Sequence, residues 1–491
     1  MIDTELYECD YVVIGSGAGG APVSYELAKA GFKVIIMEEG ENFSTNHSMK
    51  SIPECISTMF RNNGGYPVFG NVRFPVIAGC CVGGSTTVSN GTCIRTPVSV
   101  INFWKEALNL RELTLDFDNY LNKIEIELGI IPIPEEIMGK SGLILKNISL
   151  KKGLSSYPIS RYAPHCTGKG LCCFGCPTKA KRSMDNSFIP MAVNYGAQLL
   201  SNTKANTIIT KGNMAVGIDA ASTNEKNKRI RIFAQNIIVS CGALLSPILL
   251  VKSGLISRFS FKSLFLQPCI KVMAKMKDEV FPWVGTPQSY AVNEYEDHGI
   301  IIESIQVPSA IGANSFGALG EEHKKIMENY KFICSLVAII KDENPGKLIP
   351  ALGHYPMIFY NINNSEKKKL NQAVKIMSEL LLESGAEEIY LPEHNTGALS
   401  RNKAYKILDS LNLNLKQLIL TSYHPMSSMR ITSDNNNYKV NQDFKLYGTD
   451  NIYIMDASIL PTSLGCNPQM TLMALSMKLA DKLINKGVNK S

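Results

Sequence analysis

Four cysteines stand close together in the segment CTGKGLCCFGCP, at Cys166, Cys172, Cys173 and Cys176. Thiolates bind soft metal ions, and a short glycine-rich loop can bring several of them to one point. Their spacing, C-x5-C-C-x2-C or C-x5-C-x3-C-P, differs from the paired C-x2-C arrangement that is typical of structural zinc. The segment therefore indicates either a metal centre or a glycine-rich loop that buries small thiols.

Three glycines near the N-terminus, Gly15, Gly17 and Gly20, follow the G-x-G-x-x-G pattern of dinucleotide-binding turns. An apolar run predicts a strand at 11–14 before them, and a second predicted strand ends at Glu38, whose carboxylate can accept hydrogen bonds from a ribose. Gly17 lets a pyrophosphate approach the backbone, and amides at the start of the next helix hold the phosphates. The combination predicts a Rossmann-type site for NAD or FAD, with a merely structural turn as the alternative.

A second cluster of glycine and hydroxyl residues, GGSTT at 83–87, is followed by Asn90. Small residues of this kind allow the chain to pass close to a flat ring system. An ordinary Gly/Ser/Thr loop has the same composition, so the cluster alone leaves both readings open.

A helix signal lies near the C-terminus, after a predicted strand at 451–456. Asn467 and Pro468 are typical of a helix N-cap and of the first helical position, and an apolar stripe at helical spacing follows them. The N-terminal dipole of such a helix suits a site where negative charge develops. Capping of a core helix is the alternative explanation of this dipeptide.

Four blocks of the chain together resemble the glucose-methanol-choline (GMC) oxidoreductases, a family of FAD enzymes. They are the GSGAGG turn with Glu38, the segment GGSTTVSNG, the segment IIVSCGALLSPILLVKSGL, and the closing runs YHPMSSMR and GTDNIYIMDASILPTSLGCNP. The resemblance implies FAD as the cofactor. The residues that it implies as FAD-binding are Gly15, Gly17, Gly20, Glu38, Gly84, Ser85, Asn90, Asp456, Ala457, Asn467 and Pro468.

The same resemblance singles out His424, in YHPMSSMR, as the catalytic base. In the family this histidine accepts the proton of a substrate hydroxyl while the carbinol carbon gives a hydride to flavin N5. A neutral imidazole, with an ordinary pKa of about 6.5, suits that task at neutral pH. Asn467 matches the second polar residue that orients the hydroxyl. Where the family often reads His-Pro-x-Gly-Thr, this chain has Ser427 and Ser428, so the backbone of this loop is left open.

The cysteine segment narrows the resemblance to a branch that contains gluconate-, fructose- and glucose-type FAD dehydrogenases and long-chain alcohol oxidases. In the glucose dehydrogenases a similar run holds a [3Fe-4S] cluster, which implies Cys166, Cys172 and Cys176 as ligands. Such a cluster would pass electrons to an accepting subunit, a cytochrome or a quinone. The related oxidases have comparable cysteines without an established cluster and use oxygen. A non-redox lyase and a non-catalytic flavin- or metal-binding protein are further alternatives on this scaffold.

The periodicity of apolar residues predicts the strands and helices that position these residues. The segment between the cofactor blocks predicts strands at 205–210, 214–220, 229–234 and 237–241. Later strand-like runs lie at 269–274, 300–305, 332–340 and 357–360, with a helix capped by Ser365 and ended by Gly385.

The fold that we expect is α/β. A discontinuous Rossmann-like FAD-binding domain comprises 1–260 and 439–491 and carries a Cys-rich insertion at 161–190. An α+β substrate-binding domain, built on an antiparallel sheet, comprises 261–438.

Composition limits the function classes. A chain of 491 residues with 45% apolar and 19% charged residues is typical of a globular protein. Its net charge of +7 forms no arginine-rich stripe, which argues against nucleic acid as a partner. The thirteen cysteines are scattered and odd in number, as expected for reduced thiols.

The expected location and partners complete these predictions. An acidic N-terminus leaves no room for a signal peptide, and the longest apolar stretch, 237–251, is too short to span a membrane. We expect a cytoplasmic protein, or one that is membrane-peripheral or periplasmic through a partner subunit. The resemblance implies an alcohol or sugar as substrate.

Overall fold

The computed structural model describes residues 3–44, 51–259, 261–351, 355–433 and 439–488. The predicted domain boundaries at 260 and 438 lie outside these residues. Within the described chain the strands form four sheets, and helices pack on the two larger ones. No helix of this described part is both long enough and apolar enough to cross a membrane.

The strands, numbered in chain order, are β1 (Asp3–Ile14), β2 (Val34–Met37), β3 (Tyr66–Phe69), β4 (Pro75–Val76), β5 (Thr92–Cys93), β6 (Ile131–Pro132), β7 (Ser156–Pro158), β8 (Ser160–Arg161), β9 (Gln198–Leu200), β10 (Thr203–Lys211), β11 (Met214–Ser222), β12 (Lys228–Val239), β13 (Cys269–Met276), β14 (Tyr290–Val292), β15 (Ile300–Ile305), β16 (Ile333–Ile340), β17 (Lys347–Pro350), β18 (Pro356–Phe359), β19 (Ala386–Tyr390), β20 (Leu399–Ser400), β21 (Leu420–Thr421) and β22 (Ile452–Ile454).

The α-helices are α1 (Gly20–Lys29), α2 (Ile52–Met59), α3 (Val98–Asn102), α4 (Arg111–Thr114), α5 (Phe117–Leu128), α6 (Lys140–Lys151), α7 (Phe188–Asn194), α8 (Ser246–Lys252), α9 (Ser309–Gly312), α10 (Gly320–Glu328), α11 (Asn364–Glu383), α12 (Arg401–Leu408) and α13 (Gln469–Val488).

The first sheet has the strand order β10-β11-β12-β1-β2-β9, and β22 also pairs with β12. Strands β22, β12, β1, β2 and β9 run parallel, whereas β10 and β11 form an antiparallel hairpin beside β12. Parallel strands are covered on both faces, which explains the continuous apolar runs of β1 and β2. The C-terminal part of the chain thus completes a sheet that the N-terminus begins.

The second large sheet has the order β20-β19-β13-β16-β15-β14-β7, and β21 pairs with β13. Its pairings are antiparallel. Helix α11 packs on this sheet through an apolar stripe, as its period predicts, and the stripe residues Leu370, Val374, Met377 and Leu381 are buried. The α/β class with an additional antiparallel sheet, as expected from the sequence, is therefore confirmed.

The sequence predicts shorter strands than the structure has, because the outer residues of the long strands are polar. Strand β1 begins at Asp3 rather than near Tyr11, since its first residues pair with β12 beyond the buried core. The predicted strands at 229–234 and 237–241 form the single strand β12. Its first half lies in the β10–β11–β12 meander and its second half between β1 and β22.

Two further predictions need correction. Helix α11 is capped by Asn363 rather than Ser365, through a capping box in which Glu366 bonds back to the Asn363 amide at 2.9 Å. The run at 357–360 belongs to the small sheet β17-β18-β3-β4 and not to the large antiparallel sheet. The local sequence does not show which of two nearby residues, Asn363 or Ser365, caps the helix. It also does not show which strand a short strand pairs with.

Helix α1 lies against helix α13, which brings the two ends of the chain into contact. The buried hydroxyl of Ser476 donates to the Gly19 carbonyl and accepts a hydrogen bond from the Val23 amide at 2.9 Å. A Cβ atom at Gly19 would lie 1.9 Å from the Met455 carbonyl oxygen, at the end of β22. Only glycine therefore allows α1 to start this close to the C-terminal segment.

We predict that Gly19→Ala lowers the free energy of unfolding by about 3 kcal/mol, because the backbone of β22 cannot retreat from its sheet. Gly17→Ala is the matched control, since a Cβ there has no neighbour closer than 4.0 Å and the unfolding free energy should change by less than about 1 kcal/mol. Denaturant unfolding of both variants measures the difference. Equal stabilities would contradict this account of the contact.

Candidate active site

A cavity of about 1070 Å³ is lined by residues from both large sheets and from the loops that follow their strands. Ten of the predicted cofactor-binding residues line it, together with His424: Gly15, Gly17, Glu38, Gly84, Ser85, Asn90, Asp456, Ala457, Asn467 and Pro468. Gly20 does not line the cavity, because it serves packing. A Cβ atom there would lie 2.0 Å from the Gly15 carbonyl oxygen.

The two glycine segments meet backbone to backbone at one side of the cavity. Gly15 has a φ of +107°, and a Cβ atom there would lie 2.2 Å from the Ser240 carbonyl oxygen. A Cβ atom on Gly84 would lie 3.2 Å from the Gly17 Cα. Gly17 itself faces open space, which leaves its backbone accessible to a ligand. This surface without side chains fits a pyrophosphate beside the start of α1.

Glu38 is buried at the end of β2, on the cavity wall. One carboxylate oxygen accepts hydrogen bonds from the Ser16 amide at 3.2 Å and from the Ser16 hydroxyl at 2.7 Å, and the other accepts from the Gly40 amide at 3.0 Å. Burial raises the pKa of Glu38, although these bonds oppose the shift. The glycine turn thus holds the carboxylate in place at the position expected for a ribose acceptor.

Asp456 follows β22 and is also buried beside the cavity. Its carboxylate accepts hydrogen bonds from the Gly242 amide at 3.1 Å, from the Ser246 hydroxyl and from the Ser458 amide at 2.8 Å. Burial raises the pKa of this carboxyl against those bonds. Asp456 therefore fixes the loop after β12 to the loop after β22, while the adjacent Ala457 faces the cavity.

His424 and Asn467 form a buried pair that also lines the cavity. The Asn467 Nδ2 atom lies 3.3 Å from the His424 Nε2 atom. Among the described residues, His424 Nδ1 and Asn467 Oδ1 have no hydrogen-bond partner, although both atoms are buried. Burial lowers the pKa of His424 to about 4, so the imidazole is neutral at physiological pH. The pair has spare polar atoms and a neutral base, as a hydroxyl-bearing ligand requires.

The loop that carries His424 is fastened to the segment 264–267, which leads into β13. Phe265 and Met426 exchange two backbone hydrogen bonds, of 2.9 and 3.0 Å. The Ser422 hydroxyl donates to the Leu266 carbonyl. His424 lies between these two attachments, so the position of its backbone is set by segment 264–267.

Gln267, at the end of the same segment, holds the loop that carries Asn467. Its buried side chain donates to the Cys466 carbonyl at 2.9 Å and accepts from the Gly465 amide at 2.5 Å. The backbone of Gln267 is left-handed, with a φ of +47°, and its amide donates to Asp342 at 3.1 Å. One segment therefore aligns both members of the His424–Asn467 pair.

Ser427 explains how the loop after His424 keeps its shape without the glycine that is frequent in the family. Ser427 has a φ of +67°, a left-handed conformation that glycine adopts at no steric cost. The conformation is held by a 2.8 Å bond from the Ser427 amide to the Ala457 carbonyl, and the Ser263 hydroxyl donates to the Ser427 carbonyl at 2.7 Å. The loop therefore has a left-handed residue at this position although serine stands in place of glycine.

Asn90 lies in the cavity wall, but its amide is already engaged. Its Nδ2 donates to Gln288 Oε1 at 2.9 Å, and its Oδ1 accepts from the Cys173 thiol at 2.8 Å. The Gln288 amide donates in turn to the buried carboxyl of Glu303. Asn90 is therefore a structural link of the wall, and Gln288 is a lining residue that the sequence did not indicate.

The predicted iron–sulfur ligands do not form a cluster site. In the described residues no group of three or more His, Cys, Asp or Glu side chains is placed to hold a metal ion. The buried guanidinium of Arg161 lies 3.0 Å from Cys172 Sγ and 3.8 Å from Cys166 Sγ, while Cys176 Sγ accepts from the Lys181 amide at 3.5 Å. The prediction of a [3Fe-4S] cluster thus finds no support in the described residues, where two of the three thiols contact the Arg161 guanidinium instead.

Comparison with known proteins agrees with the fold and the site. Models of the GMC oxidoreductase family match residues 9–269 and 354–476. An uncharacterized GMC-type oxidoreductase of Mycobacterium tuberculosis is 30% identical over 98% of this chain and 76% of its own length. A long-chain-alcohol oxidase of Arabidopsis thaliana is 27% identical over 98% of this chain and 69% of its own length.

Solved structures share the same architecture. Pyridoxine 4-oxidase from Mesorbium loti superposes with a TM-score of 0.75 at 16% identity, over 96% of this chain and 99% of that one. Formate oxidase of Aspergillus oryzae, whose structure concerns FAD modification, gives 0.76 at 14% identity over 98% and 99%. The chain belongs to the GMC oxidoreductase family, as its sequence blocks predicted, and is an FAD-dependent oxidoreductase of the kind that acts on alcohol-type substrates.

Proposed function

We propose that this enzyme oxidises the CH–OH group of an alcohol, with His424 as the base and Asn467 as the hydroxyl partner. The observation that carries the proposal is the buried His424–Asn467 pair, whose 3.3 Å contact leaves two buried polar atoms without partners in the described residues. The pair shares its cavity with the two glycine segments. Base and cofactor cradle thus lie in one compartment.

The chemistry of the pair follows from its protonation state. His424 is neutral because burial lowers its pKa to about 4, so one ring nitrogen can accept a proton. A substrate hydroxyl can donate to His424 Nε2 while its oxygen accepts from Asn467 Nδ2, in place of their mutual contact. Asn467 thereby orients the alcohol, and His424 takes its proton as the carbon loses a hydride.

FAD supplies the hydride acceptor when it is bound. The turn at Gly15 and Gly17 would hold its diphosphate and Glu38 its ribose, since Gly17 offers accessible backbone and Glu38 a fixed carboxylate. Gly84, Ser85 and the start of α13 would face the ring system. The positive end of the α13 dipole there suits an electron-rich ring.

We further propose oxygen as the electron acceptor. A long-chain-alcohol oxidase is among the relatives, which favours an oxidase over a dehydrogenase. A partner subunit, a cytochrome or a quinone is the alternative, since a reduced flavin can also pass electrons directly to such an acceptor.

Anaerobic mixing with a long-chain alcohol should bleach the flavin absorbance, and admission of oxygen should restore it with one equivalent of peroxide. Stopped-flow spectroscopy with a peroxide assay measures both steps. Reoxidation by a quinone or cytochrome but not by oxygen would identify a dehydrogenase. A flavin spectrum that no alcohol changes would favour a lyase or a binding protein.

The rate of flavin reduction should be independent of pH from about 8 down to about 5 and should fall as pH approaches the His424 pKa of about 4. The rate falls at low pH because His424 acts as a base in its neutral form and is protonated below its pKa. His424→Asn should lower the rate by about 10²–10⁴-fold, and His298→Asn, an exposed histidine outside the cavity, serves as control. A rate that falls already between pH 7 and 6 would contradict a buried neutral base.

Gln267→Met should lower kcat by about 10–100-fold with little change in KM, because the loop before Asn467 loses its three hydrogen bonds to this side chain. Gln267→Glu keeps the acceptor for the Gly465 amide and should recover part of the loss. Steady-state kinetics measure the split between kcat and KM, and the flavin spectrum verifies cofactor binding. An equal fall for both variants together with lost FAD would indicate a general structural role instead.

A further inference from the structure

The substrate side of the cavity is a face of the antiparallel sheet formed by β13, β16 and β15. The residues that this face contributes to the lining are apolar or weakly polar, with one exception: Cys269, Ile305, Val337, Ile339 and Lys271. Lys271 lies opposite Val337, and Val337 lies opposite Glu303 on the next strand. An ammonium group therefore stands on a wall that is otherwise suited to hydrocarbon.

Lys271 has no hydrogen bond and no ion pair with any residue that the structure describes, unlike Lys275 on the same strand, which lies 3.3 Å from Glu387. Glu303 does not compensate this charge. Its carboxyl accepts from Gln288, and burial raises its pKa to about 8, so it is largely neutral at pH 7. The wall thus presents a half-buried cation without a partner among the described residues, and the anion of a ligand would supply that partner.

The strand register places the Lys271 ammonium group away from His424, where the substrate hydroxyl would react. Cys269 pairs with Thr421, three residues before His424. Lys271 lies two residues further along β13, which corresponds to about 7 Å along the strand. A ligand whose hydroxyl meets His424 would therefore extend past apolar side chains before it reaches the ammonium group.

We infer that Lys271 binds a carboxylate at the far end of the substrate, so that the enzyme prefers amphipathic hydroxy acids to plain alkanols. This inference rests on the proposed function. A single ammonium matches a monoanion such as carboxylate, and the surrounding apolar residues exclude water from the pair. A plain alkanol would leave Lys271 desolvated and unpaired.

The test uses holoenzyme and four ligands in two matched comparisons. Binding of dodecanoate, which has no hydroxyl to oxidise, is measured by calorimetry for the wild type, Lys271→Met, Lys271→Arg and Lys275→Met. Flavin reduction is then compared for ω-hydroxydodecanoate, its methyl ester and dodecanol. The variants are first compared by flavin absorbance and thermal unfolding, so that a folding defect is recognised.

We expect Lys271→Met to weaken dodecanoate binding about 10–100-fold, in keeping with loss of a charge-assisted hydrogen bond. It should lower kcat/KM for ω-hydroxydodecanoate to a similar extent, without lowering that for dodecanol. Lys271→Arg and Lys275→Met should stay within about threefold of the wild type. Equal binding of dodecanoate to the wild type and Lys271→Met, or equal kcat/KM for the acid and its ester, would overturn the inference.

The two proposals fail in different ways. If no alcohol reduces the flavin while dodecanoate binding still depends on Lys271, the proposed oxidation is wrong and the carboxylate site stands. If dodecanol reduces the flavin through His424 but Lys271→Met changes nothing, the oxidation stands and the carboxylate site is wrong.

Discussion

The whole site depends on the pairing of strand β12 with both ends of the chain. One edge of β12 pairs with β1 over nearly its full length, and the other pairs with β22 over its last three residues. The three strands are parallel, so they end at the same edge of the sheet, where Gly15, Ser240 and Asp456 follow them. Ligand sites of parallel sheets form at such carboxyl ends. Without this pairing the glycine turn and the Asn467 helix would belong to separate surfaces.

Burial then determines the chemistry that these groups can perform. The same desolvation lowers the pKa of His424 to about 4 and raises that of Glu303 to about 8. Both shifts favour the neutral form, so at pH 7 the cavity is lined by an uncharged base, and the Glu303 carboxyl behind its wall is largely neutral. The charge that remains on the substrate wall is that of Lys271. The proposed oxidation of alcohols requires the neutral imidazole, and the proposed carboxylate site requires the cation.

The features that the sequence predicted well are those with a local signal. The glycine pattern and the apolar runs each depend on neighbouring residues, and helix α1, strand β2 and helix α13 form where these patterns indicated. The predicted N-cap at Asn467 is not formed, because α13 begins at Gln469 and the Asn467 Oδ1 atom has no hydrogen-bond partner among the described residues. Gln267 has no such signal, because its partners Gly465 and Cys466 lie almost two hundred positions away. Strand lengths and caps were missed for a related reason, since pairing partners decide where a polar strand begins.

The cysteine segment shows why spacing alone does not define a metal site. A cluster needs room between its thiolates and supplies the positive charge that stabilises them. Here the Arg161 guanidinium contacts Cys166 and Cys172 and also donates to the Asn90 carbonyl at 2.8 Å. The Lys181 ammonium, also buried, donates to the Cys172 carbonyl at 2.8 Å. Arg161 and Lys181 thus hold the cysteine loop in the cavity wall, to which Cys173 contributes. In this structure the closely spaced cysteines are part of that wall.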